Sequence, residues 1–295
     1  MKNNNQAVTD SGARIEVLKT YKLYVDGKFP RTESGRYAIF RGKDGSPIAN
    51  VCMASRKDFR DAVVAARKAQ PGWAARSAYN RSQILYRIAE MLEGRRPQFL
   101  QELQSQGATA KQAENEVSDA VDCLVHYAGW CDKYQQLFSS VNPVESSHFN
   151  FSVPEPMGVV SMFAPITSGL FGLVAAVAPA IAGGNVVIAL ASEKHPLSAI
   201  TFGEVLHTSD LPGGVVNLLT GSIEELVSHF SNHMDVNACV YCGSDPGYMK
   251  SIEENAAVNV KRPLVYKEGS TESQAGLYRI MDLQEIKTTW HPIGQ

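Results

Sequence analysis

Residues 158–191 read GVVSMFAPITSGLFGLVAAVAPAIAGGNVVIALA. An apolar run of strand length breaks at Pro165. A helix-length apolar stretch follows, over about 168–182, and Gly183-Gly184 opens a second strand-length run, NVVIALA (185–191). Strand, helix and strand in so short a span make a βαβ unit. The pattern continues downstream. A helix is predicted from Pro196, which suits a first helical position. Then come VVNLLT (215–220), a helix over about 222–230, VNACVYC (236–242), a helix from Asp245, and the short run LVY (264–266). Apolar runs alternating with helices predict an α/β fold with a doubly wound parallel sheet. Strands that are apolar throughout fit a sheet covered on both faces.

Upstream the periodicity is helical. SRKD (55–58) reads as a capping box, with Ser55 at the N-cap and Asp58 at N3. Phe59, Val63 and Ala66 make the buried face of the helix it opens. Ile84, Leu85, Ile88, Met91 and Leu92 mark a second helix, and Pro97 starts a third. Residues 110–137 carry a long stripe from Ala113 to Cys131. Before these helices, YKLYVDGKF (21–29) reads as a hairpin turning at Asp26-Gly27. The organisation expected is a flexible tail (1–18), a hairpin and helices (19–146), an extended β arm (147–157), the βαβ core (158–268) and a C-terminal extension (269–295).

The totals exclude several function classes. The 295 residues carry a formal net charge of −2, so no basic face is available for nucleic acid. The longest nearly apolar run, 169–182, falls short of the ~20 residues a membrane helix needs, and Pro179 interrupts it. No N-terminal stretch has the form of a secretion signal. A soluble, cytoplasmic protein is expected. Five scattered cysteines do not form a disulfide framework. Cys239 and Cys242 make a C-x-x-C, but inside an apolar run rather than at a helix start. They read as small core residues, not a redox pair or metal site.

In such a sheet, ligands bind beyond the strand C-termini. Those ends are Ala164-Pro165-Ile166-Thr167, Ala191-Ser192-Glu193, Thr220-Gly221-Ser222 and Gly243-Ser244-Asp245. Gly-Ser at a helix start suits a phosphate, and it equally suits an ordinary turn. Spacing alone does not choose between them.

Four segments resemble the aldehyde dehydrogenase family: PEPMGVVSMFAPITSGLF, VAPAIAGGNVVIALASEKHPLSA, LPGGVVNLLTG and CGSDPG. They occur in the family's order and spacing, and PGWAARS matches its N-terminal helices. The resemblance implies a Rossmann-like domain with NAD or NADP as cofactor. Pro165, Thr167, Ser192, Glu193, Gly221, Gly243 and Ser244 then fall at cofactor-site positions. It also implies departures. Thr167 stands where the family has the oxyanion-stabilising Asn, and Ile166 replaces the adjoining Trp. Leu190 replaces a ribose-binding Lys. Tyr266 aligns with the general-base Glu, which Glu268 reaches only if the register slips. The family's nucleophilic Cys sits in a second domain within G-Q-x-C. No cysteine here has that context, and the sequence, read to Gln295, is expected to lack that domain. Without the thiolate no thiohemiacetal forms for hydride to leave from.

LQSQGATAKQAENEV, YCGSDPGYMKS and TTWHPIGQ are similar to the second, non-catalytic domain of class 16 aldehyde dehydrogenases. A truncated aldehyde dehydrogenase fold without its catalytic domain is therefore expected. So is a non-catalytic subunit or scaffold partnered with itself or with a full-length aldehyde dehydrogenase. In the family the arm pairs between subunits, so FNFSV (149–153) is expected to offer a free strand edge. The alternatives are a nucleotide-binding module without chemistry and an active NAD(P)-dependent enzyme, in which Cys242 would have to stand in as nucleophile.

Overall fold

The structure, a computed structural model, describes residues 17–266 and 276–294. Residues 1–16 of the expected tail and Glu268 lie outside the described residues. The chain opens with β1 (Lys19–Tyr21), β2 (Tyr37–Arg41) and β3 (Pro47–Cys52), which form a small sheet in the order β1-β3-β2. Four helices follow: α1 (Arg56–Ala74), α2 (Ala78–Gly94), α3 (Arg96–Ser105) and α4 (Ala110–Trp130), then the single turn α5 (Tyr134–Phe138). The capping box at α1 forms as expected. Ser55 accepts from the Asp58 backbone N–H, and the Asp58 carboxylate accepts from the Ser55 N–H.

The central sheet uses β6 (Val159–Phe163), β7 (Val186–Leu190), β8 (Val216–Leu219), β9 (Ala238–Tyr241) and β10 (Arg262–Val265). Its order is β10-β9-β6-β7-β8, all parallel. The winding reverses at β6, so the topological switch lies between the ends of β6 and β9. The crossover helices are α6 (Phe171–Ala182), α7 (Leu197–His207), α8 (Ile223–Asn232) and α9 (Pro246–Val258). Helices α1, α8 and α9 cover one face; α6 and α7 cover the other, with α2, α3 and α4 outside them. The predicted doubly wound α/β core is therefore present.

Helix α6 explains its own sequence. Every residue after Phe171 is buried, which requires a helix apolar all round. Its last carbonyls are satisfied by distant side chains: Trp73 Nε1 donates to Ile181 O at 3.0 Å and Arg81 Nε to Ala182 O at 3.1 Å. The outer edge of β8 is not left open either. Tyr24 and Leu218 exchange backbone hydrogen bonds at 2.9 and 2.7 Å. The Asp26-Gly27 turn holds both residues at positive φ, 53° and 69°, as a tight hairpin turn requires.

A third sheet joins β4 (Ser140–Asn142), β5 (His148–Pro156) and, after the short helix α10 (Tyr278–Met281), β11 (Gln284–Pro292). Its order is β11-β5-β4, antiparallel. Here the structure corrects the sequence reading. FNFSV lies in the middle strand, paired with β11 along its whole length and with β4 over Asn150–Ser152. Among the described residues the unpaired outer edges belong to β11 and to the three-residue β4. Three smaller differences have local causes. Helix α6 starts at Phe171 rather than 168, because Ser168–Leu170 form its capping turn. The long stripe from 110 breaks after Trp130. Pro196 is the N-cap of α7, not its first residue.

Candidate functional site

The C-terminal ends of the parallel strands carry four loops, each leading to a helix N-terminus. A helix start exposes free N–H groups and the positive end of the dipole, and so attracts anions. In this protein the chain's own side chains take those places. At α6, Glu116 of α4 accepts from Ser168 Oγ (3.0 Å), Leu170 N (2.9 Å) and Phe171 N (3.0 Å) through Oε2, and from Gly169 N (3.3 Å) through Oε1. At α7, Gln106 Oε1 accepts from Leu197 N at 2.9 Å. At α8, Glu193 Oε1 accepts from Ile223 N. At α9, Asp245 Oδ1 accepts from Gly247 N (2.8 Å) and Tyr248 N (3.1 Å). Three of these four plugs are carboxylates.

The residues singled out in sequence fall into separate groups. Ser192, Glu193 and Gly221 line one cleft of about 260 Å³, walled on its far side by Ile39, Phe40 and Met53. Thr167 is exposed and lines another cavity, of about 370 Å³, with Glu116, Asp119, His195, Gln112 and Leu103. Pro165 is buried against Gly172; a Cβ there would meet the proline ring at 2.3 Å, so glycine is required. Ser192 ties the two loops together, its Oγ donating to Ile166 O at 3.2 Å. Gly243 and Ser244 stand apart, at the end of β9. The Tyr241 ring lies over Gly243, and a Cβ would meet it at 2.4 Å.

Chemistry is sparse at these positions. Burial lowers the His195 pKa, so the larger cavity gains no cation from it near neutral pH. Burial, then the charges of Asp122 and Glu116, raises the Asp119 carboxyl. Leu190 is 2% exposed and belongs to the core. Tyr266 donates its hydroxyl to Asp282 at 3.0 Å, with the Arg279 guanidinium over its ring at 3.8 Å. Burial, then Asp282, raises its pKa far above the usual phenol range. A phenol so held is no base at neutral pH. Cys239 and Cys242 are both buried thiols outside any disulfide, and burial pushes the Cys239 thiol up to about 11. Both behave as core residues. Among the described residues no cluster of His, Cys, Asp or Glu has the makings of a metal site.

Two parts of this arrangement escaped the sequence reading. The β2–β3 hairpin supplies a cleft wall, and its signal was Asp44-Gly45 between apolar runs. Glu116 gave no signal, because its partners lie 52 to 55 residues away.

Comparison with known proteins follows the same outline. The sequence profile of the aldehyde dehydrogenase family matches residues 29–284. An aldehyde dehydrogenase of Aspergillus niger is 30% identical over 258 residues, covering 86% of this chain and 51% of its own length. The human mitochondrial 10-formyltetrahydrofolate dehydrogenase is 28% identical over 254 residues, covering 84% of this chain and 28% of its own. Among solved structures, PnpE of Pseudomonas sp. WBC-3 superposes with a TM-score of 0.79 at 27% identity, over 84% of this chain and 50% of that one. A second structure of PnpE contains nicotinamide adenine dinucleotide. The chain thus spans about half the length, or less, of the relatives it matches. By sequence and by fold, this chain belongs to the aldehyde dehydrogenase family.

Proposed function

We propose that the chain is a non-catalytic member of its family, a docking subunit or scaffold of the class 16 pseudo-domain kind. It associates with itself or with a full-length aldehyde dehydrogenase. One observation carries the reading: carboxylates of Glu116, Glu193 and Asp245 occupy the helix N-termini at the strand ends. A pyrophosphate arriving there meets like charge in place of free N–H groups. The altered positions agree. Leu190 sits in the core, and Tyr266 is held by Asp282.

A nucleotide-binding module is the second reading, favoured by the cleft that gathers Ser192, Glu193 and Gly221. One experiment separates the two. Thermal unfolding with millimolar NAD or NADP is expected to leave Tm unchanged, because only a ligand that binds the folded state raises it. A saturable rise would overturn the proposal in favour of the second reading. The purified chain is also expected to form no NADH from aldehydes. NADH formation that disappears in Cys242→Ala would establish an active enzyme instead.

A further inference from the structure

Helices α1 and α8 pack together on one face of the sheet, and a cleft of about 250 Å³ lies where they meet. Phe59 forms its apolar base, with its ring stacked at 4.1 Å on the buried Phe230. The rest of the lining is Arg56 and Arg60 of α1, with His229, Asn232 and His233 at the end of α8. No acidic side chain lines it. The nearby carboxylates are engaged elsewhere. Asp58 accepts from Thr32 Oγ1 (2.6 Å), Ser55 N (2.8 Å) and Glu33 N (3.1 Å). Glu33 meets Lys57 at 3.7 Å. Asp61 meets Arg60 at 3.8 Å with both side chains more than half exposed, a pairing worth little. Arg56 makes no ion pair among the described residues. The negative end of the α8 dipole is covered as well. Asn232 O accepts from Asn259 Nδ2 at 3.1 Å, and His233 O from Lys261 Nζ at 2.8 Å.

We propose that this cleft binds a phosphate dianion, held by the Arg56 and Arg60 guanidiniums with His229, Asn232 and His233 completing the donor set. The docking-subunit reading does not depend on it. The two guanidiniums match a dianion in charge, and their planar forks suit its oxygens. A carboxylate would leave one of them without a counter-charge. His233 Nδ1 accepts from Asp235 N at 3.2 Å, so its neutral ring carries the proton on Nε2 and donates without being charged. The α1 amides are not the attraction, because Ser55 Oγ accepts from Lys57 N and Asp58 N. Both imidazoles already lie in a positive field. Burial lowers the His229 pKa, and the Arg56 charge adds to it. Burial also lowers the His233 pKa; Asp235 opposes this, while Lys261, Arg56 and Arg67 add to it. A bound anion reverses that field and raises both.

Calorimetry of the whole chain with inorganic phosphate, near neutral pH and at low salt, is expected to show one saturable site. Arg56 is exposed, so Arg56→Ala leaves the core intact. It is expected to weaken binding at least about tenfold, the loss of one charge-assisted contact. Arg60→Ala repeats the test from the second guanidinium. Lys68→Ala removes the same charge further along α1 and is expected to change nothing. In proton NMR, His229 and His233 are expected to titrate at higher pH in phosphate than in chloride of equal ionic strength, while His207, on the opposite face of the sheet, does not move. Glycerol phosphate decides the source of the ligand. Binding at least as tight as that of inorganic phosphate identifies a phosphate monoester, and weaker binding identifies the free ion. No saturable heat with either probe, equal losses in Arg56→Ala and Lys68→Ala, or unmoved imidazoles would each overturn the proposal. Arg56→Ala also keeps this cleft apart from the strand ends. A rise in Tm with NADP that survives the variant arises at the strand ends; one that vanishes with it arises here.

Discussion

Lys261 shows how one residue's surroundings set its chemistry. It is 6% exposed, and its Nζ donates to His233 O at 2.8 Å. Burial pushes its pKa down from 10.5 to about 8. An ammonium depressed in the folded state is a destabilising group wherever it stays charged. Below about 8 both states are protonated, and the full desolvation penalty is present. Between about 8 and 10.5 the unfolded chain holds the extra proton, so stability rises with pH. Wild type should therefore gain on Lys261→Met as pH goes from about 7.5 to about 10, read as the difference in urea midpoints. Tyrosine and other cysteine titrations are common to both proteins and cancel, and Cys239, whose charge interacts with Lys261, titrates at about 11, above this window. A difference that stays flat across the window would show that Lys261 is not buried as described. The sequence marks Lys261 only as a lysine before a strand. Its partners come from elsewhere in the chain: His233 O accepts from the ammonium, and Cys239 shares a charge interaction with it.

Helix termini separate what can be read locally from what cannot. The α1 cap was legible because Ser55 and Asp58 are three residues apart, within one turn. The hydrophobic runs were legible for the same reason, since periodicity is a short-range signal. The α6 cap was not, because its acceptor comes from a different helix, 54 residues away from Leu170. The candidate site shares this limit. Thr167, Leu190 and Tyr266 stood out in the sequence, but the groups that occupy their surroundings are distant. The two kinds of cap differ in expected cost. Asp245→Ala removes an exposed N-cap and should destabilise by about 1 kcal/mol. Glu116→Ala strips a shared charged acceptor from Leu170, which is fully buried, and should cost about 2–3 kcal/mol. Urea unfolding at constant slope ranks them. Equal costs would mean that water replaces Glu116 without penalty.

At the scale of the whole molecule, the last described strand returns across the chain to close the third sheet, and a few buried and half-buried polar side chains hold that closure to the core. Asn185, fully buried at the start of β7, accepts from Gly158 N at 2.9 Å and donates to Leu283 O at 3.0 Å. It joins the exit of β5 to the entry of β11. Arg262 donates to Asp282 O (2.9 Å) and Gln284 O (2.8 Å), and Gln284 Nε2 to Gly183 O (3.2 Å), around the same junction. None of this was legible as a pattern, because Asn185 reads as an ordinary turn residue after Gly183-Gly184. Asn185→Ala leaves the buried Gly158 N–H unpaired and takes one of three donors from Leu283 O, at a cost of about 1–3 kcal/mol. The loss should be uneven, because the parallel core keeps its apolar contacts while the third sheet loses one of its ties to it. Hydrogen exchange should therefore accelerate in 148–156 and 284–292 far more than in β6, β7 and β9. Uniform acceleration would instead make the third sheet part of one cooperative unit with the core.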